Sequence, residues 1–312
     1  MNSSNSLLFI GSIMIDTICP VEALPKPGQG IVIDGHTITA GGCGYNAAVS
    51  AKHLGASCEL FAPLGKGPYA TLAKEQLEAR GFEAFSVDTN QDCGFAICLV
   101  TPDGERTMIT IPGVERSIES AWFDSIDTRL FSYVYVCGYE LDGPGGIIIC
   151  DFLKKNPWMK PFFAPGPVIT KLDSYVFDTM KELGAHWHLN EVEAMDCTNT
   201  STVLEAGTIL AQTYKSTIVI TEGSIGAHLF EYLDEEVAYT LVPSQKITPV
   251  DTIGAGDNHV GALMAAHASG MSWVDSLALA NRVSAAICLT KGATLTSEQF
   301  AKLGISLGST FA

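Results

Sequence analysis

Short apolar runs alternate with segments of helical periodicity along most of the chain. The apolar runs have the length of strands, and the segments between them repeat their apolar residues at helical spacing. The predicted strands are Leu7–Ile15, Cys58–Leu64, Tyr133–Gly138, Pro161–Ala164, His186–Leu189 and Thr217–Thr221. The predicted helices are Gly44–Leu54, Thr71–Arg80, Val168–Leu183, Thr200–Tyr214, Val260–Ala268 and Trp273–Leu289. This alternation favours an α/β fold with a doubly wound, mainly parallel sheet, in which ligands bind at the carboxyl ends of the strands.

Two stretches, residues 17–40 and 93–112, break this alternation. The first is rich in proline and then alternates apolar and polar residues over Ile31–Ile38. The second has the pattern of a hairpin, with Gly94–Val100 and Glu105–Ile111 as strands and Thr101-Pro-Asp-Gly104 as the turn. We expect both stretches to form a small β-sheet outside the main one. Such a sheet is either a lid that excludes water from a reaction site or an ordinary edge hairpin.

Composition limits the class of protein. At 312 residues, 47% of them hydrophobic, the chain can bury a large core, and we expect one domain over 1–312. No apolar run approaches the roughly 20 residues of a membrane span. The net charge of −16, with 18 Lys and Arg, argues against nucleic acid or an anionic membrane as a partner. Nine cysteines without CxxC pairs and the lack of a signal peptide predict reduced thiols and a cytoplasmic location.

A glycine-rich turn with a carboxylate at each end, Asp251-Thr-Ile-Gly-Ala-Gly-Asp257, leads into the predicted helix Val260–Ala268. Small residues allow close approach of a ligand, and the helix N-terminus offers free N–H groups to an anion. Asp257 beside a bound phosphate suits a base that takes a proton from the attacking nucleophile. Alone, however, the turn is equally compatible with a tight strand-to-helix connection capped by an aspartate.

Two polar residues near the start of the chain are candidates for hydroxyl recognition. Asn46, in Gly41-Gly-Cys-Gly-Tyr-Asn46, offers both a donor and an acceptor at the start of a predicted helix. Asp16 follows the first predicted strand and can accept from a hydroxyl, or it is a turn residue.

Further candidates follow later strands. Asn190 and Glu193 have the spacing of a capping box, which the spacing alone favours, and they can also hold a hydrated Mg²⁺ near a phosphate. The segment Thr221–Gly226 provides a hydroxyl and a glycine turn that suit nucleotide phosphates. His186 and His188 lie on the same side of a predicted strand without a third metal ligand, so we interpret both as structural.

Taken in chain order, these motifs resemble those of the ribokinase-like (PfkB) carbohydrate kinase family over nearly the whole chain. The matching segments are Gly11-Ser12, Asp16, Gly41–Asn46, Asp103-Gly-Glu-Arg106, Asn190 with Glu193, Thr221–Gly226, Asp251–Asp257 and Lys291-Gly-Ala293. The resemblance implies a ribokinase-like fold and ATP-dependent phosphorylation of a hydroxymethyl group on a sugar or nucleoside.

The same resemblance implies roles for individual residues. The catalytic set is Asp257 as the base and the amides of Gly254, Ala255 and Gly256 as the anion hole. The substrate set is Asp16, Gly42, Asn46 and Glu140. The nucleotide set is Asn190, Thr221, Gly223, Gly226 and Asn281. The metal set is Glu193 for Mg²⁺ through water, and Asp251 with the carbonyls of Ile253 and Gly292 for a K⁺ that many members bind.

Departures from the family pattern concern the substrate. Ribokinases usually carry Lys where Cys43 stands, and the Ser-Phe or Thr-Phe after the base is Asn258-His259 here. The acidic Gly-Asp-Asp segment is replaced by Gly65–Ala70. The resulting pattern looks most like an enterobacterial subgroup of uncharacterised sugar kinases.

We therefore expect an ATP-dependent sugar kinase. The alternatives are a kinase of pseudouridine or a purine nucleoside, and a catalytically silent sugar-binding protein. The exposed strand edges of the lid predict a homodimer.

Overall fold

The computed structural model describes residues 6–102 and 105–307. Its strands are β1 Ser6–Ile10, β2 Met14–Pro20, β3 Thr37–Gly41, β4 Cys58–Phe61, β5 Pro63–Leu64, β6 Phe85–Ser86, β7 Phe95–Val100, β8 Arg106–Ile111, β9 Phe131–Cys137, β10 Lys160–Ala164, β11 His186–Asn190, β12 Ile218–Glu222, β13 Gly226–Leu233 and β14 Glu236–Pro243. Its α-helices are α1 Cys43–His53, α2 Pro68–Ala79, α3 Gly138–Leu141, α4 Pro144–Lys155, α5 Ser174–Glu182, α6 Glu191–Thr198, α7 Val203–Tyr214, α8 Ala255–Ala268, α9 Trp273–Cys288 and α10 Ser297–Ala301.

The main sheet has eight strands in the order β14-β13-β12-β11-β10-β9-β1-β4. The six strands from β12 to β4 are parallel, and β13 and β14 extend the sheet as an antiparallel pair. This arrangement confirms the predicted doubly wound, mainly parallel α/β fold. The carboxyl ends of the parallel strands therefore lie along one edge, where β11 and β12 pair Asn190 with Thr221.

Two apolar layers cover the main sheet. In β1, Leu7 and Phe9 contribute to a cluster shared with α1, α8 and α9, whereas Leu8 and Ile10 contribute to a cluster shared with α4, α5 and α7. A strand buried on both faces needs apolar residues at successive positions, which is why these runs lack polar alternation.

A second sheet has the order β3-β2-β7-β8, with β2 parallel to β7 and the outer pairs antiparallel. The predicted hairpin is confirmed as β7 and β8, although its turn residues Asp103 and Gly104 lie outside the described part of the chain. The prediction of one strand over Leu7–Ile15 is wrong. The chain turns at Gly11, where a Cβ would lie 2.6 Å from the Gly44 Cα, and β2 then joins the second sheet.

Two other predicted boundaries are also wrong. The alternating run Ile31–Ile38 is not a strand, because regular pairing begins only at Thr37, and Val32 is 92% exposed. Alternation predicts a strand only where one face is buried. The helix expected over Val168–Leu183 begins at Ser174, where the Asp173 carboxylate accepts from the Tyr175 N–H at 2.8 Å. Among the described residues no helix has both the length and the apolar character that crossing a bilayer requires.

Candidate active site

The predicted anion-binding turn opens α8. Gly254 has φ +70°, and a Cβ there would lie 2.5 Å from the Ala293 carbonyl oxygen, so the turn requires glycine. The Ala255 N–H donates to the Thr252 carbonyl at 3.2 Å, within the turn itself. Gly256, by contrast, has open space where a Cβ would stand. Of the three predicted anion-hole residues, Gly256 therefore presents the most accessible backbone.

Two cavities meet at this turn. The Asp257 cavity, of about 210 Å³, is lined by Cys43, Tyr135, Cys137, Tyr139, Ala164, Gly166, Pro167, His188, Asn190, Glu193, Thr221, Gly256, Asp257 and Val260. The Asn281 cavity, of about 330 Å³, has Gly223, Gly226, Thr252, His259, Asn281, Ser284 and Cys288 among its lining residues. Thr221 and Gly256 line both cavities. A larger cavity, of about 580 Å³ beside α4, contains none of the predicted site residues.

Asp257 is held from α1. The Asn46 amide nitrogen donates to Asp257 Oδ2 at 2.9 Å, and Asn46 Oδ1 is buried without a hydrogen-bond partner. Burial raises the pKa of Asp257 above its ordinary value, while hydrogen bonds from Asn46 and Cys43 act in the opposite direction. A carboxylate with a raised pKa is a better proton acceptor, and Asn46 fixes its orientation.

Asp16, Gly42 and Asn46 are not among the residues that line the Asp257 cavity. Asp16 on β2 is half-buried, which raises its pKa to about 6. A Cβ on Gly41 would lie 2.3 Å from Asp16 Oδ2. Gly42 has φ +109°, and a Cβ there would lie 2.5 Å from the Ser12 carbonyl oxygen. The two glycines thus allow β3 to pass close to β2 immediately before α1.

Glu140 does not line the Asp257 cavity. It is 6% exposed, and the Cys137 thiol donates to its Oε2 at 2.5 Å. Burial raises the pKa of Glu140, while hydrogen bonds from Cys137 and Ser12 lower it. Cys137 itself lines the cavity together with Cys43, so the role of Glu140 in substrate binding stays a prediction.

Asn190 and Glu193 form the capping box that their spacing favours. Asn190 Oδ1 accepts from the Glu193 N–H at 2.8 Å, and the Asn190 N–H donates to Glu193 Oε2 at 3.1 Å. Both residues also line the Asp257 cavity, and burial raises the pKa of Glu193. The cap holds the Glu193 carboxylate at the carboxyl end of β11.

The predicted nucleotide residues lie at the ends of β12 and β13. Thr221 is the penultimate residue of β12, and its hydroxyl donates to the Leu189 carbonyl at 3.3 Å. Gly223 has φ +45°, and Gly226 has φ +132° with the Val242 carbonyl 2.2 Å from the position of a Cβ. Asn281 on α9 donates from Nδ2 to the same Val242 carbonyl at 3.0 Å.

A buried chain of side chains that we did not predict joins the two cavities. His188 Nε2 lies 2.8 Å from His259 Nδ1, and His259 Nε2 lies 3.0 Å from Asn281 Oδ1. Because Asn281 Nδ2 donates to Val242, its Oδ1 must accept, so His259 carries its proton on Nε2 and accepts from His188. Burial lowers the pKa of His259 to about 4 and that of His188 well below 6.5. Both rings are therefore neutral near pH 7.

From the sequence, we interpreted His188 as structural and assigned no role to His259. Strand alternation correctly places His186 and His188 on one side, because both rings face α8, where His186 meets His267 and His188 meets His259. The hydrogen bond between His188 and His259 could not be predicted from the local sequence, because His188 lies on β11 and His259 on α8.

Asp251 is engaged by hydrogen-bond donors. Its Oδ1 accepts from the Ile253 N–H at 2.9 Å and its Oδ2 accepts from the Gly292 N–H at 3.0 Å. Arg106, on β8 of the second sheet, places Nη2 2.7 Å from Asp251 Oδ1. The predicted K⁺ site uses the carbonyl oxygens of Ile253 and Gly292, and the contacts of these two residues with the Asp251 carboxylate are made by their N–H groups. Arg106 belongs to a matched motif, but its sequence position gave no sign of this contact.

Comparisons with known proteins show which sequences and folds this chain resembles. The sequence pattern described as "pfkB family carbohydrate kinase" matches residues 4–299. An uncharacterised sugar kinase, YegV of Escherichia coli (strain K12), is 29% identical over 290 residues, which cover 91% of this chain and 88% of that protein. Arabidopsis thaliana ribokinase complexed with ribose and ATP superposes with a TM-score of 0.80 at 21% identity, covering 98% of this chain and 100% of that one. Burkholderia thailandensis nucleoside kinase in complex with inosine gives 0.75 at 18% identity, with 95% of each chain covered.

Proposed function

The chain belongs to the pfkB family of carbohydrate kinases and is a phosphotransferase with an alcohol acceptor, and we propose that it transfers the γ-phosphate of ATP to a hydroxyl of a small sugar or sugar derivative. We assign the acceptor to the Asp257 cavity and the nucleotide to the Asn281 cavity. One catalytic domain over 1–312 would carry both, with the second sheet as its lid.

The observation that carries this proposal is the shared boundary of the two cavities. Gly256 and Thr221 line both, whereas Asp257 lines only the acceptor side. Phosphoryl transfer needs donor and acceptor oxygens roughly in line, with the base on the acceptor side. Two cavities joined at a helix N-terminus meet that requirement, because the positive end of α8 faces the junction.

Each residue then has a defined task. Asp257 accepts the proton of the attacking hydroxyl while Asn46 holds the carboxylate in place. The backbone of Gly254–Gly256 stabilises the charge that develops on the transferring phosphate. Asn190 and Thr221 contact the phosphates, and Gly223, Gly226 and Asn281 bind the rest of the nucleotide.

Magnesium fits Glu193, which lines the Asp257 cavity. Within the described residues no group of three or more His, Cys, Asp or Glu side chains is arranged to hold a metal. The lone carboxylate of Glu193 therefore suits a Mg²⁺ that keeps several waters and takes its other ligands from phosphate. When bound, the ion neutralises charge on the phosphate oxygens.

The lining of the acceptor cavity favours an uncharged acceptor. Cys43 and Cys137 contribute thiols, and burial with the Cys137 contact raises the pKa of Cys43 well above its ordinary value. No Lys or Arg is among the residues that line the cavity. A second candidate is a nucleoside, because Tyr139 lies at the cavity, is 45% exposed and can stack on a base.

The test is turnover of ATP by the wild-type protein and Asp257→Asn against a panel of pentoses, hexoses, sugar acids and nucleosides. We expect the variant to fold, and we expect its kcat on the acceptor that the wild type uses to fall by a factor of about 10²–10⁴. Asp275→Asn, at the surface of α9, is the matched control and should keep wild-type kcat. Near-wild-type kcat in Asp257→Asn would reject Asp257 as the base. Acceptor binding without phosphorylation would instead support a silent binding protein.

We also propose a homodimer formed through the lid. Ile38 on β3 and Met108 and Ile109 on β8 are each about half exposed, and both strands are edges of the second sheet. Exposed edges with apolar residues favour pairing with a second copy. A monomeric mass in light scattering at micromolar concentration would contradict this assembly.

A further inference from the structure

The ion pair between Arg106 and Asp251 joins the second sheet to the loop before α8. Arg106 Nη2 lies 2.7 Å from Asp251 Oδ1, and the two side chains are 24% and 6% exposed, respectively. Arg106 Nη1 is buried without a hydrogen-bond partner, so at this end of the guanidinium it is Nη2 that is paired, with Asp251. A pair this well shielded is weakly screened by salt and strongly directional.

The surroundings of Asp251 do not fit a monovalent cation. All three contacts of the Asp251 carboxylate are made by donors, namely the N–H groups of Ile253 and Gly292 and the Arg106 guanidinium. A K⁺ needs oxygen ligands, and one bound here would lie beside a guanidinium whose positive charge repels it.

We propose that Arg106 is the resident cation of this site, a positioning residue delivered by the lid in place of a bound monovalent ion. A cation on the lid reaches Asp251 only when β8 lies against the loop. Lid position and loop geometry are then coupled, which a freely diffusing ion does not achieve. The role of this coupling in phosphoryl transfer rests on the proposed function, but the identity of the cation does not.

Contacts around Asp251 lead directly to the anion-binding turn. Asp251 holds the N–H groups of Ile253 and Gly292, which precede Gly254 and Ala293 in the chain. Asn258 on α8 links these two segments, because its side-chain amide donates to the carbonyls of Gly254 and Ala293, both at 2.7 Å. Withdrawal of Arg106 removes the positive charge on one side of this connection. The turn that faces the phosphate would then lose a fixed position.

The first experiment needs no acceptor. Thermal unfolding is compared in KCl and NaCl at equal ionic strength for the wild type, Arg106→Gln, Arg106→Lys and the matched control Arg116→Gln. Arg116 is 41% exposed at its side chain and meets Asp142 at 3.5 Å, away from Asp251.

For the wild type, for Arg106→Lys and for the control, we expect the unfolding temperature in KCl to equal that of the same protein in NaCl. Arg106→Gln should be less stable and should recover part of the loss in KCl only, because the vacated carboxylate accepts K⁺. A K⁺-specific rise in the wild type, or equal unfolding of Arg106→Gln in both salts, overturns the proposal. The wild-type result alone decides if Arg106→Gln does not fold.

The second experiment tests the positioning role on the acceptor that the panel identifies. Arg106→Gln should lower kcat about tenfold in NaCl with a smaller change in the KM for ATP, and KCl should restore part of kcat. Unchanged kcat in NaCl would reject the positioning role. If no acceptor is found, the proposed function fails, while the unfolding comparison still decides which cation occupies the site.

Discussion

Replacing His259 by phenylalanine, the residue usual in the family at this place, tests the buried chain between the two cavities. The ring size is nearly kept, but two hydrogen bonds disappear. His188 Nε2 loses its acceptor at 2.8 Å and Asn281 Oδ1 loses its donor at 3.0 Å. Leaving a buried polar atom unpaired costs about 1–3 kcal/mol.

Two such atoms imply about 2–6 kcal/mol, of which the extra apolar surface of phenylalanine offsets roughly 1 kcal/mol. We therefore expect His259→Phe to lower the free energy of unfolding by about 1–5 kcal/mol and Tm by roughly 2–8 °C. Urea unfolding followed by circular dichroism measures the loss. His36→Phe, on an exposed residue, is the control and should stay within about 0.5 kcal/mol of the wild type.

The same variant should change the acid stability. In the folded protein burial lowers the pKa of His259 to about 4, against an ordinary value of 6.5. The unfolded chain therefore binds a proton that the folded chain does not, and stability falls as the pH drops from 6.5 towards 4, by up to about 3 kcal/mol for this residue. His259→Phe should show a shallower decline over that range. Equal or greater stability of His259→Phe at pH 7, with an unchanged acid slope, would refute this account of the chain.

Two other predictions concern the turn and the base. Gly254→Ala should be destabilised by at least about 1 kcal/mol, because its Cβ would meet the Ala293 carbonyl and its φ is positive. Gly256→Ala should keep the wild-type Tm but lose turnover, because its methyl group would enter both cavities. Wild-type kcat in Gly256→Ala would argue against phosphate binding at Gly256. Asn46→Ser should move the acidic limb of the kcat profile to higher pH, since Asn46 lowers the pKa of Asp257, and a limb that does not move would separate Asn46 from the base.

The sequence was sufficient to predict a structural feature wherever that feature depends on residues close together in the chain. The apolar residues of β1 and the hairpin of β7 and β8 follow from periodicity and turn chemistry, and both are present. The capping box of Asn190 and Glu193 was also readable, because both partners lie within one turn of helix. The family pattern was visible because its motifs are short and contiguous.

Prediction failed where distant elements decide. The break after β1 depends on Gly44 approaching Gly11, and a run of apolar residues cannot show that approach. The contact between Glu140 and Cys137, which leaves Glu140 outside the lining of the Asp257 cavity, likewise has no signal in the sequence. The contact of Arg106 with Asp251 requires the second sheet to be placed against the loop before α8, and that placement has no local signal.

Two of the connections between the second sheet and the rest of the protein are very short. Only Gly11–Ile13 separates β1 from β2, and only Gly42 separates β3 from α1. With one to three residues available, the second sheet cannot swing far from the first, and its opening amounts to a small rotation about these two crossings. The amplitude of that rotation limits the size of molecule that enters. For the acceptor site that we propose, this limit predicts phosphorylation of free small molecules and not of a sugar attached to a polymer or a protein surface.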